Sequence, residues 1–212
     1  MGAKLYSVDE NNIDINIINK TAELLKNGGL LVFPTETVYG IGADAFNARA
    51  VKSLYEKKQR PLDKPLLMHI SGIDMAEEVG VLDNTARELI KRFSPGPLTL
   101  VVKKKPAVPS VAVSGGETVG LRFPSNKIFL EISKAFGKPI AATSANISGF
   151  KSAVSATELD AVKSVADIII DGGSCVFGLE STIVSLVGER PKILRVGSFP
   201  KEKIEEVLGK CE

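Results

Sequence analysis

Two short motifs about eighty residues apart hold the side chains best suited to chemistry. The first is Lys58-Gln59-Arg60 followed by Lys64-Pro65-Leu66; the second is Ser144-Ala145-Asn146, after the apolar run Pro139 to Ala142. Neither contains a nucleophile beside a base. They offer fixed cations, a hydroxyl and an amide, which are groups that hold a polyphosphate or a carboxylate. Pro61 and Pro65 stiffen the chain around Arg60 and Lys64, and a rigid guanidinium is suited to bidentate contact with phosphate oxygens. The same cations could instead be a solvated helix end, where positive charge favours the C-terminal dipole.

Other candidates are scattered. Thr35, Thr37 and Tyr39 alternate ahead of Gly40; in an extended segment they would share one face, with a helix-capping strand end as the alternative. His69 is the chain's single histidine and lies in an apolar strand, so a core role competes with a ligand role. Arg122 and Arg195 are charges inside apolar strands. A buried guanidinium needs an anion, which for Arg122 could be Glu36, Glu180 or a ligand carboxylate. Ser144 and Asn146 stand at a strand end, where open α/β sheets bind ligands. No Gly-x-x-x-x-Gly-Lys-Ser/Thr, Gly-x-Gly-x-x-Gly or Gly-x-Ser-x-Gly motif occurs, which argues against a P-loop, a Rossmann site and a serine hydrolase.

The elements that must position these residues read as α/β. Apolar strand-like runs alternate with helical periodicity. Helices are expected at Ile15 to about Asn27, Ala48 to Lys58, Asn84 to Phe93, Lys127 to Phe136, Thr157 to Val165 and Lys201 to Leu208. Strands are expected at Leu30 to Phe33, Leu66 to Ile70, Leu98 to Lys103, Val119 to Phe123, Ile140 to Thr143, Ile168 to Asp171, Ser181 to Leu186 and Lys192 to Val196. Two strand pairs lack an intervening helix, so the twisted sheet should mix parallel and antiparallel neighbours. Pro106 to Glu117 and Ser148 to Ser155 read as loops able to serve as flaps over a site.

Bulk composition sets limits. The 212 residues suit one domain, 1–212, with ample length for a core. A net charge of +2 excludes a wholly electrostatic nucleic-acid binder, so anion recognition must be local. Two cysteines make neither a disulfide framework nor a metal motif. No apolar run approaches the roughly 20 residues of a membrane span. A cytoplasmic protein is the expectation.

Seven segments in order resemble the YrdC family, the threonylcarbamoyl-AMP synthases: Pro34 to Gly40, Lys58-x-Arg60, Lys64-Pro65-Leu66, Ser94 to Thr99, Arg122-Phe123-Pro124, Ser144-x-Asn146 and Glu180 to Ile183. The resemblance runs from about Asn27 to Gly197 and is closest to the short form, without the C-terminal domain of longer members. It implies a single YrdC-like domain with a concave, positively charged cleft. It also implies an enzyme that joins L-threonine, bicarbonate and ATP into threonylcarbamoyl-AMP and pyrophosphate. The product would pass to a transferase that modifies the adenosine next to the tRNA anticodon, with at most weak tRNA contact by this chain. By the same resemblance Thr37, His69, Arg122, Ala142 and Ser181 would contact threonine. Arg60, Lys64, Thr118, Ser144, Ser152 and Arg195 would bind ATP, and Lys58, Arg60, Ser144 and Asn146 would act in catalysis. Mg²⁺ would ride mainly on the ATP phosphates, no metal being held by the protein alone. The competing reading is a double-stranded RNA or tRNA-binding module without catalysis; the small net charge and the lack of an aromatic platform weigh against it.

Overall fold

The computed structural model describes residues 2–147 and 150–212. Its ten strands are β1 (Lys4–Ser7), β2 (Leu31–Phe33), β3 (Gly40–Asp44), β4 (Leu67–His69), β5 (Leu98–Lys103), β6 (Thr118–Arg122), β7 (Ile140–Ser144), β8 (Ile168–Asp171), β9 (Thr182–Ser185) and β10 (Lys192–Arg195). The helices are α1 (Ile15–Lys26), α2 (Ala48–Lys57), α3 (Ile73–Val79), α4 (Asn84–Phe93), α5 (Lys127–Phe136) and α6 (Lys201–Leu208). Asp14, Asn47, Asp83 and Asn126 cap α1, α2, α4 and α5 by accepting backbone N–H bonds, as short polar side chains do at helix starts.

All ten strands join one sheet in the order β1-β8-β2-β3-β7-β4-β6-β5-β9-β10. β1–β8, β2–β8, β4–β6 and β5–β9 pair in parallel, and the other neighbours are antiparallel. The mixed α/β sheet expected from the sequence is therefore present, including the antiparallel β5–β6 and β9–β10 pairs. Side-chain alternation divides the core. Leu31, Phe33, Ile140 and Ala142 pack with Ile18, Leu25, Phe129 and Ile132 of α1 and α5. Val32, Ile41, Met68, Leu121 and Ala141 face the other way, against Leu54 of α2 and Leu89 of α4. With both faces covered, β2 is continuously apolar rather than alternating.

Several expectations need correction. The helix expected at Thr157 to Val165 is instead a pair of 3-10 turns, Ala156–Glu158 and Asp160–Val162. Ala156, Leu159, Val162 and Val165 are all buried, and their spacing of three is the repeat of a 3-10 turn, not of an α-helix. β1, β3 and α3 were not expected. β3 reads Gly-Ile-Gly, and glycine suits its crowded place: a Cβ on Gly42 would lie 2.7 Å from Ile140 Cγ2 and 2.8 Å from Ala142 Cβ. The two loops read as flaps each accept a backbone bond from a cleft-lining residue. Ala112 in the first accepts the Leu66 N–H at 2.9 Å, and Ala153 in the second accepts the Tyr39 N–H at 2.9 Å. Ser148 and Gly149 of the second lie outside the described residues.

Candidate active site

The α1 and α5 helices cover only half of their face of the sheet. Phe129 of α5 reaches the His69 ring, with centroids 6.0 Å apart, and beyond it the strands β4, β6, β5, β9 and β10 follow in the sheet. A cleft of about 370 Å³ occupies this face. Its floor follows strand alternation: Leu67 and His69 of β4, Thr118, Gly120 and Arg122 of β6, Ala142 and Ser144 of β7. Its walls are the Thr35 to Gly40 turn, Arg60 with Pro65, and the Glu180-Ser181 segment with Arg195. The site thus sits on an uncovered sheet face rather than along the carboxyl edge of the strands.

The β2–β3 turn does not present three side chains on one extended face. Thr35 Oγ1 accepts the Thr37 and Val38 N–H groups at 3.1 and 3.2 Å and donates to Val38 O at 2.6 Å, closing a tight hydroxyl turn. Its hydroxyl also meets that of Thr37 at 2.8 Å. The Tyr39 phenol is drawn away, donating to Gly173 O at 2.7 Å and accepting from Gly172 N at 3.1 Å. Burial pushes its pKa well above the usual phenol value.

Arg122 is 2% exposed and finds its anion within the fold. Nη2 donates to Glu36 Oε1 at 2.7 Å, Nη1 donates to the Gly96 and Phe123 carbonyls, and Thr37 Oγ1 lies 3.5 Å from Nη2. Glu36 Oε2 accepts the Ser125 N–H at 3.1 Å. Of the three anions open to Arg122, Glu36 is the protein's own choice. Burial lowers the guanidinium pKa and Glu36 opposes that shift.

His69 packs edge-on against Phe33, with centroids 5.6 Å apart, and its Nδ1 lies 3.3 Å from Leu67 O. Burial, helped by the nearby Arg122 charge, pulls its pKa down to about 3. The ring is therefore neutral at physiological pH. A proton on Nδ1 directed to Leu67 O leaves Nε2 as an acceptor. Across the floor, Ser181 Oγ meets Thr99 Oγ1 at 2.8 Å, while Arg195 donates through Nε and Nη2 to Ser181 O at 3.1 and 2.9 Å. Glu180 Oε1 accepts the Ser152 hydroxyl at 2.6 Å. Burial alone would raise the Glu180 pKa; the Ser152 bond, its own backbone and Arg195 outweigh this and lower it.

Arg60 is clamped as its flanking prolines suggested, with Nε on Lys64 O at 3.0 Å and Nη2 on Pro65 O at 2.9 Å. Lys64 itself is exposed and outside the lining, and its part here is to supply that carbonyl. Lys58 and Asn146 lie just behind the lining. Lys58 Nζ donates to Asn146 Oδ1 at 3.2 Å, Ser144 Oγ donates to the same oxygen at 2.7 Å, and Asn146 Nδ2 donates to Phe150 O. Burial and then Arg60 pull the Lys58 pKa down to about 7.

The cleft thus gathers Thr37, His69, Arg122, Ala142, Ser181, Arg60, Thr118, Ser144 and Arg195. Ser152 joins through Glu180, and Lys58 and Asn146 through Ser144. Sequence reasoning missed Thr99 and Leu67; their signal is register, since Thr99 stands opposite Arg122 and Leu67 opposite Gly120. Among the described residues, no group of three or more His, Cys, Asp or Glu side chains converges to hold a metal, and no helix is long and apolar enough to cross a membrane.

A cleft lined by fixed arginines and short hydroxyls, built on this sheet order, defines a ligand-binding α/β protein equipped to hold anions. Residues 23–197 match the Sua5/YciO/YrdC family model, described as "Telomere recombination", and the chain belongs to that family. It is 43% identical over 194 residues to the threonylcarbamoyl-AMP synthase of Pyrococcus abyssi, covering 91% of this chain and 57% of that one. It is 44% identical over 196 residues to the Bacillus subtilis protein of the same name, covering 91% and 56%. The crystal structure of P. abyssi Sua5 complexed with L-threonine superposes with a TM-score of 0.95 at 41% identity, covering 98% of this chain and 62% of that one. The chain spans just over half the length of these curated relatives.

Proposed function

We propose that this cleft makes threonylcarbamoyl-AMP from L-threonine, bicarbonate and ATP. The observation that carries the reading is convergence: Thr37, His69, Arg122, Ala142 and Ser181, from five separate segments, meet on one sheet face beside Arg60, Ser144 and Arg195. The likeness to Sua5 complexed with L-threonine supports it. Threonine brings an ammonium, a carboxylate and a hydroxyl. A neutral His69 accepts the hydroxyl through Nε2, and Arg122, whose Nη groups are held by Glu36 and the Gly96 and Phe123 carbonyls, lends its charge to the carboxylate.

The chemistry needs positioning more than acid–base machinery. The threonine ammonium and bicarbonate combine to a carbamate with loss of water and a proton. A carbamate oxygen then attacks the α-phosphorus and the bond to pyrophosphate breaks. Both reactants are anionic, so orientation and charge neutralisation dominate the barrier. Arg60, clamped by two carbonyls, and Arg195, tied to Ser181, are fixed charges that need no reorganisation. This makes the cleft positively charged where the phosphates lie, with Lys58 and Asn146 completing the catalytic set and Lys64, Thr118 and Ser152 the nucleotide side.

Mg²⁺ fits this donor set as a passenger on ATP, because Glu180 is the one carboxylate among the described lining residues and Ser152 engages one of its oxygens. When bound, the metal withdraws charge from the phosphates. The product passes to a tRNA-modifying transferase in the cytoplasm, and direct contact of this chain with tRNA is weak. The test is pyrophosphate release by the pure protein with ATP, Mg²⁺, bicarbonate and an amino acid. Release should require threonine and fall at least about a hundredfold with valine, which leaves the hydroxyl-binding groups unpaired. Equal rates with valine and threonine would rule the assignment out.

A further inference from the structure

Two cations at this site are almost equally buried, yet the fold treats them differently. Arg122 receives the carboxylate of Glu36 at 2.7 Å. Lys58, only 4% exposed, receives the neutral Asn146 Oδ1 at 3.2 Å, and no carboxylate reaches it as an ion pair among the described residues.

Among the described residues, the elements around Lys58 bring no compensating charge. On its own segment Glu56 and Lys57 are exposed, and Arg60 two residues on repels it. The 3-10 turn Ser110–Val113 packs on α2 and carries no titratable side chain. β3 also packs on α2, and its one titratable residue, Asp44, is engaged by Lys138 at 3.2 Å. The end of β7 supplies Ser144 and Asn146, both neutral. A buried ammonium without an anion is costly, and an amine escapes that cost by losing its proton. The effect of burial and of Arg60, a pKa near 7, agrees with this geometry.

We propose that Lys58 is a proton-coupled anion ligand: it stands as a neutral amine in the empty site and takes up a solvent proton when a polyphosphate arrives. This rests on the reading of the cleft as a nucleotide site. An N–H bond forms on the amine, nothing is oxidised or reduced, and the proton returns to solvent when the polyphosphate leaves. The arrangement spares the empty site the repulsion of Lys58 against Arg60. It delivers the second positive charge together with the negative charge it offsets, and Asn146 holds the amine ready in either state.

The test is titration calorimetry of MgATP, without threonine or bicarbonate, in two buffers of different ionisation enthalpy between about pH 6 and pH 9. Wild type is compared with Lys58→Arg, whose guanidinium stays charged throughout. Wild type should take up almost no extra proton near pH 6, about half of one near pH 7 and close to one by about pH 8. Its affinity should fall up to about tenfold per pH unit above 7 relative to Lys58→Arg. Should that variant not fold, Lys58→Met, which has no proton to gain, provides the same difference in proton count. Equal proton counts for wild type and variant, with MgATP bound to both, would overturn the proposal and leave the nucleotide reading intact. Absence of MgATP binding to wild type would overturn the nucleotide reading and this inference with it.

Discussion

Replacing Glu36 with Gln tests the strongest buried interaction at the site. Glu36 is 6% and Arg122 2% exposed, and their contact is 2.7 Å. Glutamine keeps the volume and one oxygen acceptor but removes the charge. The guanidinium cannot shed its proton, so it would remain buried with only the Gly96 and Phe123 carbonyls and Thr37 around it. Removing one partner of a buried pair costs about 3–5 kcal/mol, and the retained shape puts Gln near the lower end, although its single oxygen can serve Arg122 or the Ser125 N–H but not both. At about 2–4 °C per kcal/mol for a chain of this size, a 3 kcal/mol loss lowers Tm by roughly 6–12 °C. Urea denaturation and calorimetry at neutral pH measure both quantities. Replacing the pair together, as Glu36→Gln with Arg122→Met, removes the stranded charge and should recover most of the loss. A Glu36→Gln protein within about 1 kcal/mol of wild type, or a double variant that loses the sum of both single changes, would refute the reasoning.

Lys58→Met should stabilise the fold while weakening nucleotide binding. The Lys58 pKa falls from 10.5 to about 7 on folding, so the unfolded chain binds more protons between those values and stability rises with pH across that window. The penalty that Met removes is at most about 4 kcal/mol at pH 7 and shrinks toward pH 10; a denaturation difference that does not shrink contradicts it. For His69, a pKa lowered from 6.5 to about 3 means stability falls as pH drops between those values, and the ring proton resonance of this single histidine should not titrate between about pH 5 and pH 8. A midpoint near 6.5 would contradict that burial. Gly197→Ala should cost about 1–3 kcal/mol and impair threonine-dependent turnover, since a Cβ there would sit 2.2 Å from Glu180 O and 2.5 Å from Ser181 C, backbone that carries two cleft-lining residues. A fully active, equally stable variant would show that this segment moves freely.

Local rules carried the reading of elements where one periodicity dominates. The α4 and α5 bounds follow from apolar spacing between an Asp or Asn cap and a breaker, and both match their expected ranges. The same rules failed for β3, because glycine is locally a poor strand former and only the close approach of Ile140 and Ala142 makes it the residue that fits. They failed again at Ala156 to Val165, where a spacing of three passes for a helix until the core dictates which positions are buried.

The site divides the same way. Rigid cations at Arg60, hydroxyls and an amide at Ser144 and Asn146, and charges that demand partners at Arg122 and Arg195 are properties of residue type and near neighbours, so they were legible in the chain. Which anion neutralises Arg122 was not, for Glu36 lies 86 residues away in sequence. Nor was the loss of the Tyr39 phenol to Gly172 and Gly173, or the lack of an ion-pairing carboxylate for Lys58 among the described residues, which depends on four packed segments at once. Burial sets what a charge costs, and burial is a property of the assembled sheet and helices. Sequence determined which groups could do chemistry; the tertiary fold alone decided which are paired, which are neutral, and which face the open half of the sheet.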